Sequence, residues 1–215
     1  FGSKEAMVRL DMTEYQEKQS ISRFIGSPDG TMSGNLTEAV LRKPYSLVLL
    51  DEFEKAHPDN LNLFLQVFDD GRLTDNMGRT ADFQNTIIIA TSNANSNFIK
   101  ESIEAGKSMA EVSDELKKKL TETFRPELIN RFSGIIVFKS LSKEDTVAVA
   151  RILLNDLIRD VNSNQGIHLE FSEDAIKKIA EWGYDPVFGA RPLREVISDK
   201  VRSVLAEKIL KGYDG

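Results

Sequence analysis

The chain has 215 residues, of which 40% are hydrophobic and 29% charged, and this length allows one large domain or a domain with a smaller companion. Its formal net charge of −6 argues against nucleic acid as the main partner, and the absence of cysteine excludes disulfides and thiolate metal sites and fits a reducing compartment. No apolar run approaches the roughly 18 residues that a membrane helix needs, so we expect no membrane partner.

The first elements of the chain are predicted to be short. Alternating apolar residues predict a strand over residues 6–12, and residues 14–23 are interpreted as a short polar helix. Residues 26–35 are turn formers throughout and predict an exposed loop. A short helix is expected over residues 36–42, with Asn35 as its N-cap.

The apolar run from Leu47 to Leu50 predicts a strand buried on both faces, as in parallel sheets. Two acids, Asp51 and Glu52, follow at once. Ligands of open α/β sheets collect at the carboxyl ends of strands, so this pair favours a site in which Asp51 holds hydrated Mg²⁺ and Glu52 polarises an attacking water. The alternative is an ordinary acidic strand end before a helix, because acids stabilise helix N-termini.

A second buried strand further along also ends in polar residues. Apolar spacing first predicts a helix over residues 59–68, and residues 76–79 are interpreted as a tight turn. Residues 86–90 are apolar and mostly β-branched, which predicts a strand, and the triplet Thr-Ser-Asn at 91–93 follows it. A buried strand again delivers polar side chains at its carboxyl end.

The remaining residues predict a change of architecture near residue 140. A polar helical stretch is expected over residues 95–123 and a last strand over residues 135–138. After residue 140, helices are expected over residues 142–161, 172–182 and 189–210, with a short strand at 169–171. We therefore place an α/β subdomain at residues 1–139 and a small, mainly helical subdomain at residues 140–215.

Six motifs, each weak alone, stand in the order of one family. They are Leu36–Val40, Leu49–Glu52 with Glu54–Pro58, Asp70–Asp75, Thr91–Asn93, Arg125–Leu128 with Asn130–Arg131, and Gly189–Leu193. Together they closely resemble the second ATPase module of the Clp-type AAA+ unfoldases and disaggregases, of the ClpB and ClpC kind, over nearly the whole chain. The resemblance implies an AAA+ fold: a parallel sheet flanked by helices, followed by a small helical subdomain.

The resemblance implies ATP and Mg²⁺ as cofactors and gives individual residues roles. Asp51 resembles the residue that binds the metal and the cofactor, and Glu52 the catalytic base. Asn93 resembles sensor 1, which orients the water or touches the γ-phosphate. Arg131 resembles the arginine finger that reaches a neighbouring subunit's γ-phosphate, and such a group is worth roughly 10³–10⁵ in rate elsewhere. Arg191 resembles sensor 2, a nucleotide-binding residue of the small subdomain.

Each of these roles has a plainer alternative. Asn93 could close a strand-to-loop turn, Arg131 could form a surface salt bridge of little energetic value, and Arg191 could cap or pair locally. Three other residues are interpreted as structural or loop residues: His57, Arg79 and Arg125.

Two features depart from the family pattern. No Gly-x-x-x-x-Gly-Lys-Ser/Thr occurs in the 215 residues, although that loop's amides and lysine form the main phosphate cradle. In the family this P-loop and the first strand, which lies mid-sheet, precede the sequence that resembles Phe1 to Met12. We therefore expect these residues by themselves to bind ATP weakly or not at all and not to hydrolyse it. The loop at 26–35 is also shorter than the family's substrate-gripping pore loop and has no aromatic residue.

The leading hypothesis is an AAA+ ATPase module of a ring-forming chaperone, a homo-oligomer and most simply a hexamer. Its partners would be unfolded or aggregated proteins and a partner protease or chaperone, with neither nucleic acid nor membrane involved. The resemblance implies a cytoplasmic protein, with an organelle matrix or stroma as the alternative. The rival hypothesis is a non-hydrolysing scaffold or regulatory subunit that assembles with related AAA+ chains.

Overall fold

The computed structural model describes residues 6–185 and 189–212. The chain divides into two compact units, residues 1–137 and residues 138–215. The boundary that we place between residues 139 and 140 stays a prediction.

The first unit is built around a small parallel sheet. The strands of the described residues are β1 (Met7–Asp11), β2 (Leu47–Asp51), β3 (Arg72–Thr74), β4 (Thr80–Asp82) and β5 (Ile87–Ala90). The parallel sheet has the order β1-β2-β5, whereas β3 and β4 form a separate antiparallel hairpin. Val48 and Leu50 of β2 are fully buried, but Leu47 and Leu49 are only half-buried, so β2 is not buried on both faces as predicted.

Short helices surround this sheet. They are α1 (Ile21–Ile25), α2 (Asn35–Arg42), α3 (Pro58–Leu61), α4 (Leu63–Asp70), α5 (Ser96–Glu104), α6 (Met109–Thr123) and α7 (Pro126–Ile129). The helix expected over residues 14–23 is wrong for most of its length, because two 3₁₀ turns, Met12–Tyr15 and Lys18–Ser20, precede α1. The side chain of Asn60 donates to the carbonyls of Tyr15 (2.9 Å) and Glu17 (2.8 Å), which holds the segment between the turns out of a helix.

The N-cap predicted for α2 is also corrected. Gly34 occupies the N-cap position, and Asn35 is the first residue of the helix. The Asn35 side chain donates instead to the hydroxyl of Tyr15, at 3.5 Å. A buried tyrosine hydroxyl usually finds a partner, and Asn35 supplies one here.

A cluster of aromatic rings forms the centre of the first unit's core. Phe53, directly after the acids of β2, is 2% exposed. Its ring centroid lies 5.5 Å from that of Phe124, 5.9 Å from that of Phe132 and 6.1 Å from that of Phe64. Because buried aromatic contacts stabilise a core strongly, Phe53 fixes where the chain goes after β2.

The strand predicted over residues 135–138 does not form. Ile136 is 81% and Phe138 is 83% exposed, and no residue of this segment has a strand partner among the described residues. A strand needs a neighbour for its backbone N–H and C=O groups. In the sheet of the described residues β1 and β5 are the two edge strands, and Ile87 and Ile89 of β5 are exposed.

The second unit is helical, as predicted. Its helices are α8 (Lys143–Gln165), α9 (Glu173–Gly183), α10 (Leu193–Ile197), a π-helical turn (Ser198–Arg202) and α11 (Ser203–Leu210). Ser142 caps α8 in a capping box with Asp145, and Ser172 caps α9. The short strand expected at 169–171 is absent from the described residues, which give it no pairing partner. None of the helices described in the chain is long and apolar enough to cross a membrane.

We predict that Gly34→Ala destabilises the first unit. A methyl group at this position would lie 2.3 Å from the carbonyl oxygen of Phe24 and 2.5 Å from the Cα of Ile25, so the backbone would have to shift. Overpacking of this kind costs about 1–3 kcal/mol in the free energy of unfolding, measurable by urea denaturation.

Gly134→Ala is the matched control, because a methyl group there meets nothing within 4 Å. Its free energy of unfolding should stay within about 0.5 kcal/mol of the parent. Equal effects of the two substitutions would contradict the close approach at Gly34.

Candidate functional site

The parallel register brings polar residues to one edge of the sheet. Asp11 and Asp51 lie opposite each other at the ends of β1 and β2. On the other side of β2, Leu50 pairs with Ala90, and Thr91 follows as the next residue. The ladder continues one step beyond the strands, because the N–H of Thr91 donates to the carbonyl of Leu50 at 2.9 Å.

Asp51 is held by a neighbour on each side. The Thr91 hydroxyl donates to Asp51 Oδ1 at 2.5 Å, and the guanidinium of Arg9 pairs with Oδ2. The hydrogen bond from Thr91 and then that from Arg9 hold the pKa of the Asp51 carboxyl below its ordinary value. Asp51 is therefore a carboxylate at neutral pH, and its side chain stays 26% exposed.

Glu52 has an unusual backbone conformation. Its φ of 55° and ψ of 50° lie in the left-handed region, and in the described residues only Asn95 shares this among non-glycine residues. Such a conformation costs about 1–3 kcal/mol and persists where the surroundings determine it. Here the Glu52 N–H donates to the hydroxyl of Thr91 (3.3 Å), and the Phe53 N–H donates to the Thr91 carbonyl (2.9 Å).

The functional groups of Glu52 and Asn93 are available to a ligand. Among the described residues, neither the Glu52 carboxylate nor the Asn93 side-chain amide has a hydrogen bond or an ion pair. The backbone of Asn93 is fixed, because its N–H donates to Glu54 Oε1 at 3.2 Å. Glu54 Oε2 is buried without a hydrogen-bond partner. The turn after β2 and the loop after β5 are thus tied at two points, Thr91 and Glu54.

A single, partly exposed carboxylate can hold a metal ion that keeps most of its water. The described residues contain no group of three or more His, Cys, Asp or Glu that could hold a metal ion. Mg²⁺ is commonly bound by one or two carboxylates together with substrate phosphates and waters. Asp51, with a carboxylate at the sheet edge, fits such a site.

Arg131 lies elsewhere, in an ion pair. Its Nη2 is 3.1 Å from Asp69 Oδ2, and its Nε contacts Oδ1. Both side chains are about half exposed, at 47% and 45%. The surface salt bridge considered above is therefore present, with an acid 62 residues upstream in the chain. The structure does not bring Arg131 to Asp51, and its action on a neighbour's nucleotide stays a prediction.

Arg191 lies in the second unit, in the turn before α10, and is exposed. Within the described residues it forms no ion pair or hydrogen bond, so the local pairing considered above is not seen. Its nucleotide contact stays a prediction.

Three residues interpreted as structural or loop residues, His57, Arg79 and Arg125, make local contacts. His57 caps α3 by accepting the N–H of Asp59 on Nδ1 (3.1 Å), and Arg125 lies 3.9 Å from the same aspartate. Arg79 donates to the buried carboxylate of Asp75 at 2.8 Å and forms an ion pair with Glu38, with 2.8 Å between Arg79 Nη2 and Glu38 Oε2. This last cluster fixes the turn between β3 and β4 against α2.

The exposed loop at 26–35 is ordered by its own side chains. Asp29 Oδ1 accepts hydrogen bonds from the hydroxyl of Ser27 (2.5 Å) and from the N–H (3.1 Å) and hydroxyl (2.8 Å) of Thr31. These bonds, that from Ser27 first, lower the pKa of Asp29 to about 2. Met32 is its exposed apolar residue, at 44%. The loop is closed on itself and carries no aromatic side chain.

Family models match both units. Residues 1–135 match the AAA domain (Cdc48 subfamily), and residues 141–213 match the C-terminal D2-small domain of the ClpB protein. The chain is 49% identical to the chaperone protein ClpB of Meiothermus ruber, over 99% of this chain and 25% of the relative. It is 47% identical to the ATP-dependent Clp protease ATP-binding subunit ClpE of Bacillus subtilis, over 98% of this chain and 31% of the relative.

A solved structure is similar throughout. It is a closed-state cryo-EM reconstruction of Hsp104 with ATPγS and FITC casein, with a TM-score of 0.83 and 35% identity, covering 98% of this chain and 37% of Hsp104. The AAA+ fold expected from the sequence is thereby confirmed. The chain spans about a quarter to a third of the length of the curated relatives.

We predict that the pair between Arg131 and Asp69 adds little stability. Half-exposed ion pairs typically contribute about 0–1 kcal/mol, because water screens the charges and both side chains lose freedom. A double-mutant cycle with Arg131→Ala and Asp69→Ala, read by urea denaturation, should give a coupling energy below about 1 kcal/mol. A coupling above about 2 kcal/mol would assign Arg131 a structural role instead of a free, functional one.

Proposed function

Because the chain belongs to the AAA+ family, with a C-terminal part of the ClpB D2-small type, we propose that it is the ATP-binding and ATP-hydrolysing module of a ring-forming, protein-remodelling chaperone. The observation that carries the proposal is the edge of the parallel sheet. There an ionised Asp51 adjoins Glu52, and the side chains of Glu52 and Asn93 are unengaged.

Asp51 would hold Mg²⁺, which when bound supplies positive charge beside the phosphate oxygens. The side chain already carries a negative charge, and the pairing with Arg9 neutralises it without a metal. For Asp51 to meet a metal directly, the guanidinium of Arg9 would leave Oδ2, while Thr91 could keep its hold on Oδ1. The carboxylate would then keep its orientation as its partner changes.

Glu52 would act as the general base that takes a proton from the attacking water. A general base must reach that proton within hydrogen-bond distance, and a carboxylate without a protein partner is free to do so. Because its backbone is left-handed, Glu52 does not continue the alternation of side chains between the two faces of β2. Asn93 would orient the same water or the γ-phosphate through its amide.

The remaining roles extend beyond one subunit. Arg131 would exchange Asp69 for a neighbouring subunit's γ-phosphate, and Arg191 would contact nucleotide from the second unit. We propose a homo-oligomeric ring, most simply a hexamer, with unfolded or aggregated proteins as substrates. This is supported by the similarity to ClpB and to the Hsp104 structure that contains casein. The proposed location is the cytoplasm, or a matrix or stroma.

A second candidate function is a non-hydrolysing scaffold or regulatory subunit. The loop at 26–35 favours it, because its polar side chains bond to one another and Met32 is its exposed apolar residue. An aromatic side chain would offer a sliding polypeptide a larger and more rigid contact. The scaffold would keep ring assembly without turning over ATP.

We predict that Glu52→Gln separates binding from hydrolysis, in a version of the module that carries a P-loop ahead of residue 1. The amide keeps the shape of the side chain but cannot serve as a carboxylate base, so kcat should fall about 10²–10⁴-fold with ATP affinity retained. Calorimetry measures binding, and phosphate release measures turnover. Parental turnover by this variant would refute the role of Glu52, and a parent with no turnover would favour the scaffold.

We predict that Arg131 acts on the neighbouring subunit's nucleotide. Arg131→Ala subunits and Glu52→Gln subunits should each be nearly inactive. A mixed ring forms complete sites wherever the Arg131 of a Glu52→Gln subunit faces the intact Glu52 of its neighbour, so part of the activity should return.

The mixing ratio and co-assembly are the controls for this experiment. Recovery should peak at intermediate ratios, and light scattering or mass photometry should show the mixed rings. Co-assembled rings without recovery at any ratio would leave Arg131 with a role in its own subunit or with the Asp69 pair alone.

A further inference from the structure

The Thr91 hydroxyl makes two hydrogen bonds to adjacent residues of β2 and the turn after it. It donates to Asp51 Oδ1 at 2.5 Å and accepts from the N–H of Glu52 at 3.3 Å. The first residue is the candidate metal ligand and the second the candidate base. One oxygen atom therefore contacts both acids of the site, one through its side chain and the other through its backbone.

We propose that Thr91 is a positioning residue, whose hydroxyl sets the carboxylate of Asp51 and the left-handed backbone of Glu52 together. Its catalytic consequence rests on the ATPase function proposed above. The arrangement itself does not, because it is a property of the chain without nucleotide.

A hydroxyl is suited to this task because it can donate and accept at the same atom. Carboxylates only accept and ammonium groups only donate, so neither could satisfy both an ionised carboxylate and a backbone N–H. The donated bond is charge-assisted, and its 2.5 Å length lies in the range of strong O–H···O⁻ bonds. The orientation of the hydroxyl group is thereby fixed: its hydrogen points to Asp51 Oδ1, and a lone pair faces the N–H of Glu52.

The backbone of Thr91 is fixed on both sides. Its N–H donates to the carbonyl of Leu50 at 2.9 Å, and its carbonyl accepts from the N–H of Phe53 at 2.9 Å. β-Branching restricts χ1 as well. The hydroxyl therefore needs little further ordering to reach Asp51 and Glu52. Phe53, whose N–H donates to the Thr91 carbonyl, is itself fixed by burial.

Two substitutions isolate the hydroxyl. Thr91→Val keeps the shape and branching but has no polar atom, whereas Thr91→Ser keeps the hydroxyl and removes the methyl group. The Phe53 N–H is an internal control, because it donates to the Thr91 backbone carbonyl, which neither variant changes.

Amide hydrogen exchange, measured by NMR on the 215-residue chain, is the first readout. Thr91 lies at an exposed position, so in Thr91→Val water replaces the hydroxyl as partner of the Glu52 N–H. We expect exchange at Glu52 to become about tenfold faster or more, with exchange at Phe53 within about twofold of the parent. Thr91→Ser should match the parent at both amides.

Turnover and ATP affinity are the second readout, in the version of the module that carries a P-loop. Thr91→Val should lower kcat about tenfold or more and change KM for ATP less than about threefold, because it displaces the catalytic groups and leaves the rest of nucleotide binding in place. Thr91→Ser should restore kcat to within about threefold of the parent.

Several results would overturn the proposal. Unchanged exchange at Glu52 in Thr91→Val would show that the hydroxyl does not hold this backbone, and equal acceleration at Glu52 and Phe53 would indicate general loosening. Selective exchange at Glu52 with unchanged kcat would remove the positioning role and leave the ATPase function intact. A parent without turnover would refute the ATPase function and, with it, the catalytic role of Thr91, whereas the exchange data would still decide the structural part.

Discussion

Phe53 enters the aromatic core immediately after two acids that must stay at the sheet edge, and this constraint shapes the candidate site. Its ring packs among Phe64, Phe124 and Phe132, while Asp51 is still the last residue of β2. Only Glu52 lies between them, so the chain turns within one residue, and Glu52 adopts the left-handed conformation. The cost of that conformation is offset by burial of Phe53 and by the bonds to Thr91.

The same constraint couples the two strand ends. Because the turn at Glu52 brings the N–H groups of Glu52 and Phe53 to Thr91, the end of β5 becomes part of the turn after β2. Glu54 adds a second link by accepting the N–H of Asn93. The backbone of Asn93 is therefore tied to the turn that contains Glu52.

Local patterns were sufficient wherever an element is determined by its own residues. The apolar runs correctly predicted that β2 and β5 are strands, but not how deeply they are buried, because burial depends on which elements pack against each strand. The predictions failed where distant residues decide. The Asn60 side chain bonds to the backbone at residues 15 and 17, where two 3₁₀ turns form instead of the helix predicted over residues 14–23. Residues 135–138 lack the neighbouring strand that a strand requires.

The candidate site shows the same division. The apolar run followed by two acids, together with the family resemblance, pointed to Asp51 and Glu52, and the resemblance pointed to Asn93; their roles stay predictions. Arg9 and Thr91 were not assigned roles, because their contacts with Asp51 span 42 and 40 residues and follow only from the strand register. Asp69 was missed as the partner of Arg131 for the same reason, at a separation of 62 residues.

The most direct measurement is a structure of the assembled protein with Mg²⁺ and a slowly hydrolysed ATP analogue. The account predicts the metal at Asp51, the Asn93 amide at the γ-phosphate, and Arg131 released from Asp69 towards a neighbour's nucleotide. Nucleotide bound away from the carboxyl edge of β2 and β5, with Arg131 still paired to Asp69, would contradict it.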